Sequence, residues 1–384
     1  MTASVPLVLL TSVASGLLLT ACMTETPTSQ EESPRFVLRS LDLNQRRDDG
    51  QRHWDLTSPV ASYDLQTRTV QARQTVGILY RDDRPSFRIS ANQAEVINDG
   101  ERIVLEGQVR LQQLDSLGVL IRGDRLVWTP KLSRMVIDRS PEAMDATSHL
   151  RAQSLVLIQD QDLLQLKGAT QLRHWPGQRR DDQPPETIIR GGPGRWNLLS
   201  GQLRVGGPVV ATRQDNRRLT ASALKGNTAQ QQVDLVTPVD LELGRDRGTL
   251  QAGTTRWLYG LGQFRSTQPF QGQRGKATLT GNGFVIHEPT SSVLVTSDCR
   301  LNQPNESLRA DRCSWNWQNQ RIVASGQVLL RRNDLNQETR AERMQGILGD
   351  QQGLQFDGEK QRVRSSIRLK QPSLKQSSTA PVLF

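Results

Sequence analysis

Ile89–Leu111 reads ISANQAEVINDGERIVLEGQVRL. Its second half alternates. Ile103, Leu105, Val109 and Leu111 share one parity, with Glu106, Gln108 and Arg110 between them. A period of two marks a strand with one dry face. Asn98-Asp99-Gly100 is a turn signal, so the stretch predicts two strands joined by a tight turn. In the first half, positions one and three share a face, and then six and eight do. That odd step predicts a bulge or corner within the first strand. Far along the chain, Leu308–Leu330 reads LRADRCSWNWQNQRIVASGQVLL, with a second turn at Asn316–Gln320 and almost the same ending.

The two stretches belong to a longer series. Units begin at Leu56, Ile89, Ile121, Leu150, Ile189, Leu219, Leu250, Leu279, Leu308 and Thr339. The third residue is small in every unit, as at Ala91, Gly123, Ala221, Gly281 and Ala310. The eighth is often apolar, and Trp128, Trp196, Trp257 and Trp315 all fall there. The second strand carries the alternating set in unit after unit. These sets contain Val70, Val76 and Ile78; Leu164, Leu166 and Leu172; Val205 and Val209; Val233, Leu235 and Leu241; Val293 and Val295; and Ile322, Val328 and Leu330. Gly107, Gly168, Pro238 and Gly326 sit mid-run, where a strand turns a corner between sheets. The prediction is an all-β, elongated antiparallel fold of about ten two-strand units. The inward parity either fills a closed sandwich core or lines a groove for a guest.

Composition narrows the function classes. The chain has 384 residues, 4% aromatics and a formal net charge of +10. Mean hydropathy is −0.54. Arginine supplies most of the positive charge but is scattered singly, which reads as a solvated face. Nucleic-acid binding would need a basic block with stacking aromatics, and none is visible. His53, His149, His174 and His287 are far apart in the repeat, with no HExxH or CxxC, so no metal is expected. Asp160 and Asp162 flank a turn and read as solvated carboxylates. GGPG at Gly191 and GNG at Gly281 lack the strand-to-helix setting of a nucleotide loop. No catalytic grouping and no cofactor site emerge. An outer-membrane barrel would need outward apolar bands, and charges crowd the polar parity instead.

Val5–Ala21 is a short apolar run followed by Cys22. It suits a signal-peptide core better than a full membrane span. Leu19-Thr20-Ala21-Cys22 resembles a lipobox, which makes Cys22 a lipid anchor; a short uncleaved anchor or a buried strand are the alternatives. Residues 22–34 read as a polar tether, and 371–384 as a disordered tail. The remaining cysteines, Cys299 and Cys313, are symmetric about Glu306. If the turn Gln303–Ser307 closes an antiparallel pair, they face each other directly and form a disulfide in an oxidising compartment.

The repeat resembles that of the OstA/LptA superfamily. The opening FVLRSLDLNQRRDDGQRHWDLTSPVASYD, from Phe36, is similar to the start of LptC, with Trp54 and Tyr63 in matching places. The resemblance divides the chain into 1–21 as signal peptide, 35–145 as an LptC-like start and 146–370 as OstA/LptA-like repeats. It implies an open β-jellyroll, or β-taco, with no enzymatic activity, anchored at the inner membrane and lying in the periplasm. It further implies that the groove carries lipid A acyl chains of lipopolysaccharide from an inner-membrane ABC transporter toward the outer membrane. An LptA-like bridge protein would join through edge-strand pairing. A structural or adhesive β-solenoid with a closed dry core and no cargo is the alternative.

Overall fold

The computed structural model describes residues 35–114, 118–180, 182–244, 248–347, 353–358 and 362–367. Cys22, the apolar run before it, the tether and the tail lie outside the described residues. The rest forms one antiparallel sheet of 27 strands, from Arg35–Arg46 to Arg364–Ile367. Each rung pairs with the rung before and the rung after it in sequence. Several rungs are interrupted midway, as between Thr187–Gly191 and Gly194–Asn197 or between Cys299–Asn302 and Ser292–Val295.

The interruptions align. Register breaks lie at Ser90/Gln93, Glu106/Val109, Lys167/Thr170, Gly206/Val209, Ser266/Pro269 and Ser325/Val328. They form a crease running across the strands, along which the sheet doubles over into two layers. Gly107, Gly168 and Gly326 stand on this crease with φ of 75°, 71° and 75°. Such backbone favours residues without a Cβ. Each also lies under a neighbouring side chain: Asn92, Gln153 and Asp311 respectively. Pro238 sits at the same line, beside the break at Ala221/Ala223.

The repeat's small third residue now has a physical reason. Just past the crease a β-branched residue points inward, and its cross-strand partner is the small one. The pairs are Val109 with Gly123, Val209 with Ala221, Val239 with Ala252, and Val328 with Ala341. The odd step within the first strand is also present: Ile89, Ala91, Ala94 and Val96 are all buried.

Between the layers lies an apolar interior. One cluster runs from Leu41 to Leu198 and the next from Val209 to Met344, with Leu203 packed against both. Hydrogen bonding also continues past residue 145, where Glu142 and Ala143 pair with Arg151 and Leu150.

Candidate functional site

Most of the alternating residues meet inside this interior. Val70, Ile103, Leu105, Val109, Leu111, Leu164, Leu166, Val209, Val233, Leu235, Leu241, Val293, Val295, Ile322, Val328 and Leu330 are buried there. Leu172 and Val205 are half-buried and pack against it. Val76 and Ile78 are a correction. Gln74 adopts φ 52° as a single bulge residue, and the inward set becomes Ala72, Thr75, Gly77 and Leu79. At Gly107-Gln108 two successive residues take positive φ, so Val109 keeps the parity of Leu105. One bulge residue flips a strand's face and two restore it.

At the amino-terminal end the interior opens into a cavity of about 400 Å³. Leu41, Leu43, Trp54, Tyr63, Val70 and Val96 line it, with Arg68 and Asp99 also on its wall. The first rung, Arg35–Arg46, is hydrogen-bonded to one neighbour only among the described residues. On it Phe36 and Val37 are 51% and 72% exposed.

Opposite the crease, two rows of turns face each other. One row contains 97–102, 129–134, 158–163, 258–263 and 287–292. The other contains 46–52, 81–84, 144–148, 174–187 and 213–218. Backbone pairing follows the rungs, and the contacts between the rows are made by side chains. Arg81 Nη1 and Nη2 donate to both Asp162 carboxylate oxygens at 2.6 and 2.7 Å, and Nη2 also reaches the Gln159 carbonyl. Arg213 donates across to Glu288 at 2.9 Å and within its own row to Glu186 at 2.5 Å, and Arg217 also pairs across with Glu288. Burial pulls the Arg213 pKa down, but Glu288 and Glu186 outweigh it and the net direction is up. Trp54 meets Trp128 edge-on at 5.6 Å, and His174 meets Tyr259 at 5.9 Å. Arg274 lies over the Trp315 ring. Burial, aided by Asp145, pushes the Tyr259 hydroxyl up to about 12, so it stays a neutral donor to the Thr228 carbonyl. Together these contacts form a laced seam.

The seam escapes sequence reasoning. Asp162 reads as a solvated turn carboxylate, yet its side chain is 7% exposed and held by Arg81. Arg81, Arg213 and Arg217 are partly buried rather than part of a solvated face. Their partners across the seam lie 81, 75 and 71 positions away. Only the skew between the two layers brings them together, and no local pattern encodes it.

Cys299 and Cys313 are joined, with Cα atoms 5.9 Å apart. Their expected direct opposition is not the register found. The turn is centred nearer Pro304 and Asn305, so Cys299 pairs with Ala310. Asp311 then breaks the rung at the crease, and Cys313 pairs with Val295. The bridge therefore runs diagonally over the crease and ties one layer to the other.

An antiparallel sheet creased over a continuous apolar interior, with a first rung bonded on one side only among the described residues, defines a β-jellyroll of the taco type. Residues 5–174 match the family described as "Lipopolysaccharide-assembly, LptC-related". The match covers less than half of the chain and is to a family of lipopolysaccharide assembly. No curated protein matched the sequence. Among the described residues no helix is long and apolar enough to cross a membrane, and no group of three or more His, Cys, Asp or Glu could hold a metal ion.

Proposed function

We propose that the interior carries the acyl chains of lipid A during lipopolysaccharide export. The chain would receive its cargo from an inner-membrane ABC transporter and pass it toward the outer membrane. The observation that carries this reading is the apolar interior, continuous from Leu41 to Met344 and opening at one end into a cavity beside an exposed apolar rung. Burying each CH₂ of a guest chain is worth about 0.8 kcal/mol. Its sugars and phosphates would stay outside, in water. The exposed first rung offers unpaired backbone groups to a neighbouring jellyroll, whether of the transporter or of an LptA-like bridge. Cys22, as a lipid anchor, would hold the body at the inner membrane, with residues 22–34 as its tether. The chain itself performs no chemistry in this scheme, and the division into 35–145 and 146–370 marks an LptC-like and an LptA-like portion.

A second reading, a structural β-solenoid with a dry core, draws on the near-complete burial of Ile103, Leu164 and Val239. One experiment separates the two. Photo-cross-linkers placed at Leu43, Leu105 and Leu166 should capture lipopolysaccharide in exporting cells. Cross-linking to neighbouring protein alone at all three positions would establish the dry core.

A further inference from the structure

The tryptophans carry a feature that packing does not require. Trp54, Trp128, Trp196 and Trp257 are each more than nine-tenths buried. Among the described residues, none of their indole Nε1 atoms has a hydrogen-bond partner. Leaving a buried donor unpaired costs the full desolvation of that group. Trp175 shows the ordinary solution: it too is buried, and its Nε1 donates to the Gln183 carbonyl at 3.0 Å. Nor does the slot demand an indole. Val96, Leu157 and Ile286 fill the same position in other units and are equally buried. Phenylalanine would supply the aromatic area without the orphan donor.

The position of these donors is regular. Trp128, Trp196 and Trp257 each stand one residue before the end of their strand, at Thr129, Asn197 and Leu258. They therefore share one depth, just beneath a row of seam turns. Trp54 approaches Trp128 from the opposite row. Deeper toward the crease the inward residues are apolar hydrocarbon, aliphatic for the most part with Phe270 and Phe284 among them, and outside the donors lie the seam charges of Arg81, Arg213 and Glu288. Passing inward, the order is charge, then N–H donor, then hydrocarbon. An acylated amphiphile has the complementary order: charged head, then ester or amide carbonyls, then alkyl chain.

We infer that Trp54, Trp128, Trp196 and Trp257 form a ladder of donors for the carbonyl oxygens that link acyl chains to a headgroup. The ladder fixes how far an acylated amphiphile sinks between the layers, and it selects ester- or amide-linked chains over plain alkyl chains. This inference rests on the carrier reading and adds a substrate feature to it.

The test compares two probes on the full-length chain held in amphipol. One is diacyl phosphatidylglycerol, and the other is its dialkyl-ether analogue with chains of equal length. Wild-type protein should bind the ester lipid more tightly. A W128F/W196F/W257F variant should lose about fivefold in ester-lipid affinity for each donor engaged, as for one neutral hydrogen bond, and keep its ether-lipid affinity. If stacking losses unfold the triple variant, as circular dichroism would show, Trp196→Phe alone is compared on the same two probes. Equal affinity of wild type for both lipids, or equal loss of both in the variant, overturns the ladder and leaves the carrier reading standing. Failure of the wild type to bind either lipid also overturns the ladder as a site for acylated amphiphiles, whereas the carrier reading stands or falls on lipopolysaccharide capture at Leu43, Leu105 and Leu166.

Discussion

Asp162 is the residue on which the seam's first latch turns. It accepts both forks of Arg81 in a setting largely closed to water, where losing one partner strands the other. Asp162→Asn should therefore lower unfolding stability by about 2–3 kcal/mol, read as a shifted denaturation midpoint with an unchanged slope. Replacing the pair together with Arg81→Met and Asp162→Asn should cost less than Asp162→Asn alone, because no charge is left behind and asparagine tolerates the left-handed backbone at this position, φ 50°. His174 gives the seam a pH dependence. Burial holds its pKa below 6.5, although Asp145 and Glu186 push the other way. The native state then resists protonation that the unfolded chain accepts, so the histidine's contribution is present above 6.5 and is lost as pH falls through its lowered native value. His53 is shifted down in the same direction by burial and Arg47. Thermal melts above and below 6.5 should show the body weakening on acidification, and His174→Phe should flatten that dependence.

The crease governs the strand as an element. Gly326 combines φ 75° with the overlying Asp311 side chain. Gly326→Ala should cost about 1–2 kcal/mol in a denaturation curve, whereas Gly177→Ala, in open space, should be close to neutral. The bridge over the crease closes a loop with a sequence separation of 14. Replacing both cysteines by serine should cost about 3 kcal/mol on loop-entropy grounds, and thiol titration of the denatured, unreduced chain should find neither Cys299 nor Cys313 free. Much at this scale is legible in the sequence, since alternation, turn residues and mid-run glycines are local signals. Val76 and Ile78 show the limit. A single bulge at Gln74 reverses a face, and a glutamine carries no mark to distinguish it from Gln108, where the second bulge residue restores one.

Across the whole molecule, the repeat dictates the doubled sheet, and the interior follows from it. The pairing of one turn row with the other does not, because it depends on the angle between layers, accumulated over many twisted strands. This is why the apolar residues of the interior could be named from sequence while Arg81, Arg213, Arg217 and Glu288 could not. The same distance in sequence gives the seam its vulnerability. Weakening both latches with Asp162→Asn and Glu288→Gln should leave strand content unchanged by circular dichroism. It should also speed hydrogen exchange in the turns 158–163 and 287–292 ahead of the crease, since locally weakened elements open before the whole.

The skew of the seam also shapes the two ends. Because each latch joins an early turn of one row to a much later turn of the other, the first rungs of one layer and the last rungs of the other have no counterpart to meet. The cavity lined by Leu38 and Val96, with Phe36 and Val37 exposed beside it, lies at the first of these ends. A body cut this way ends in a half-lap, as a carpenter's joint does. Under the carrier reading, a neighbouring jellyroll that met this end would overlap it in a single rotational setting, and the overlap would keep the passage roofed from one body to the next.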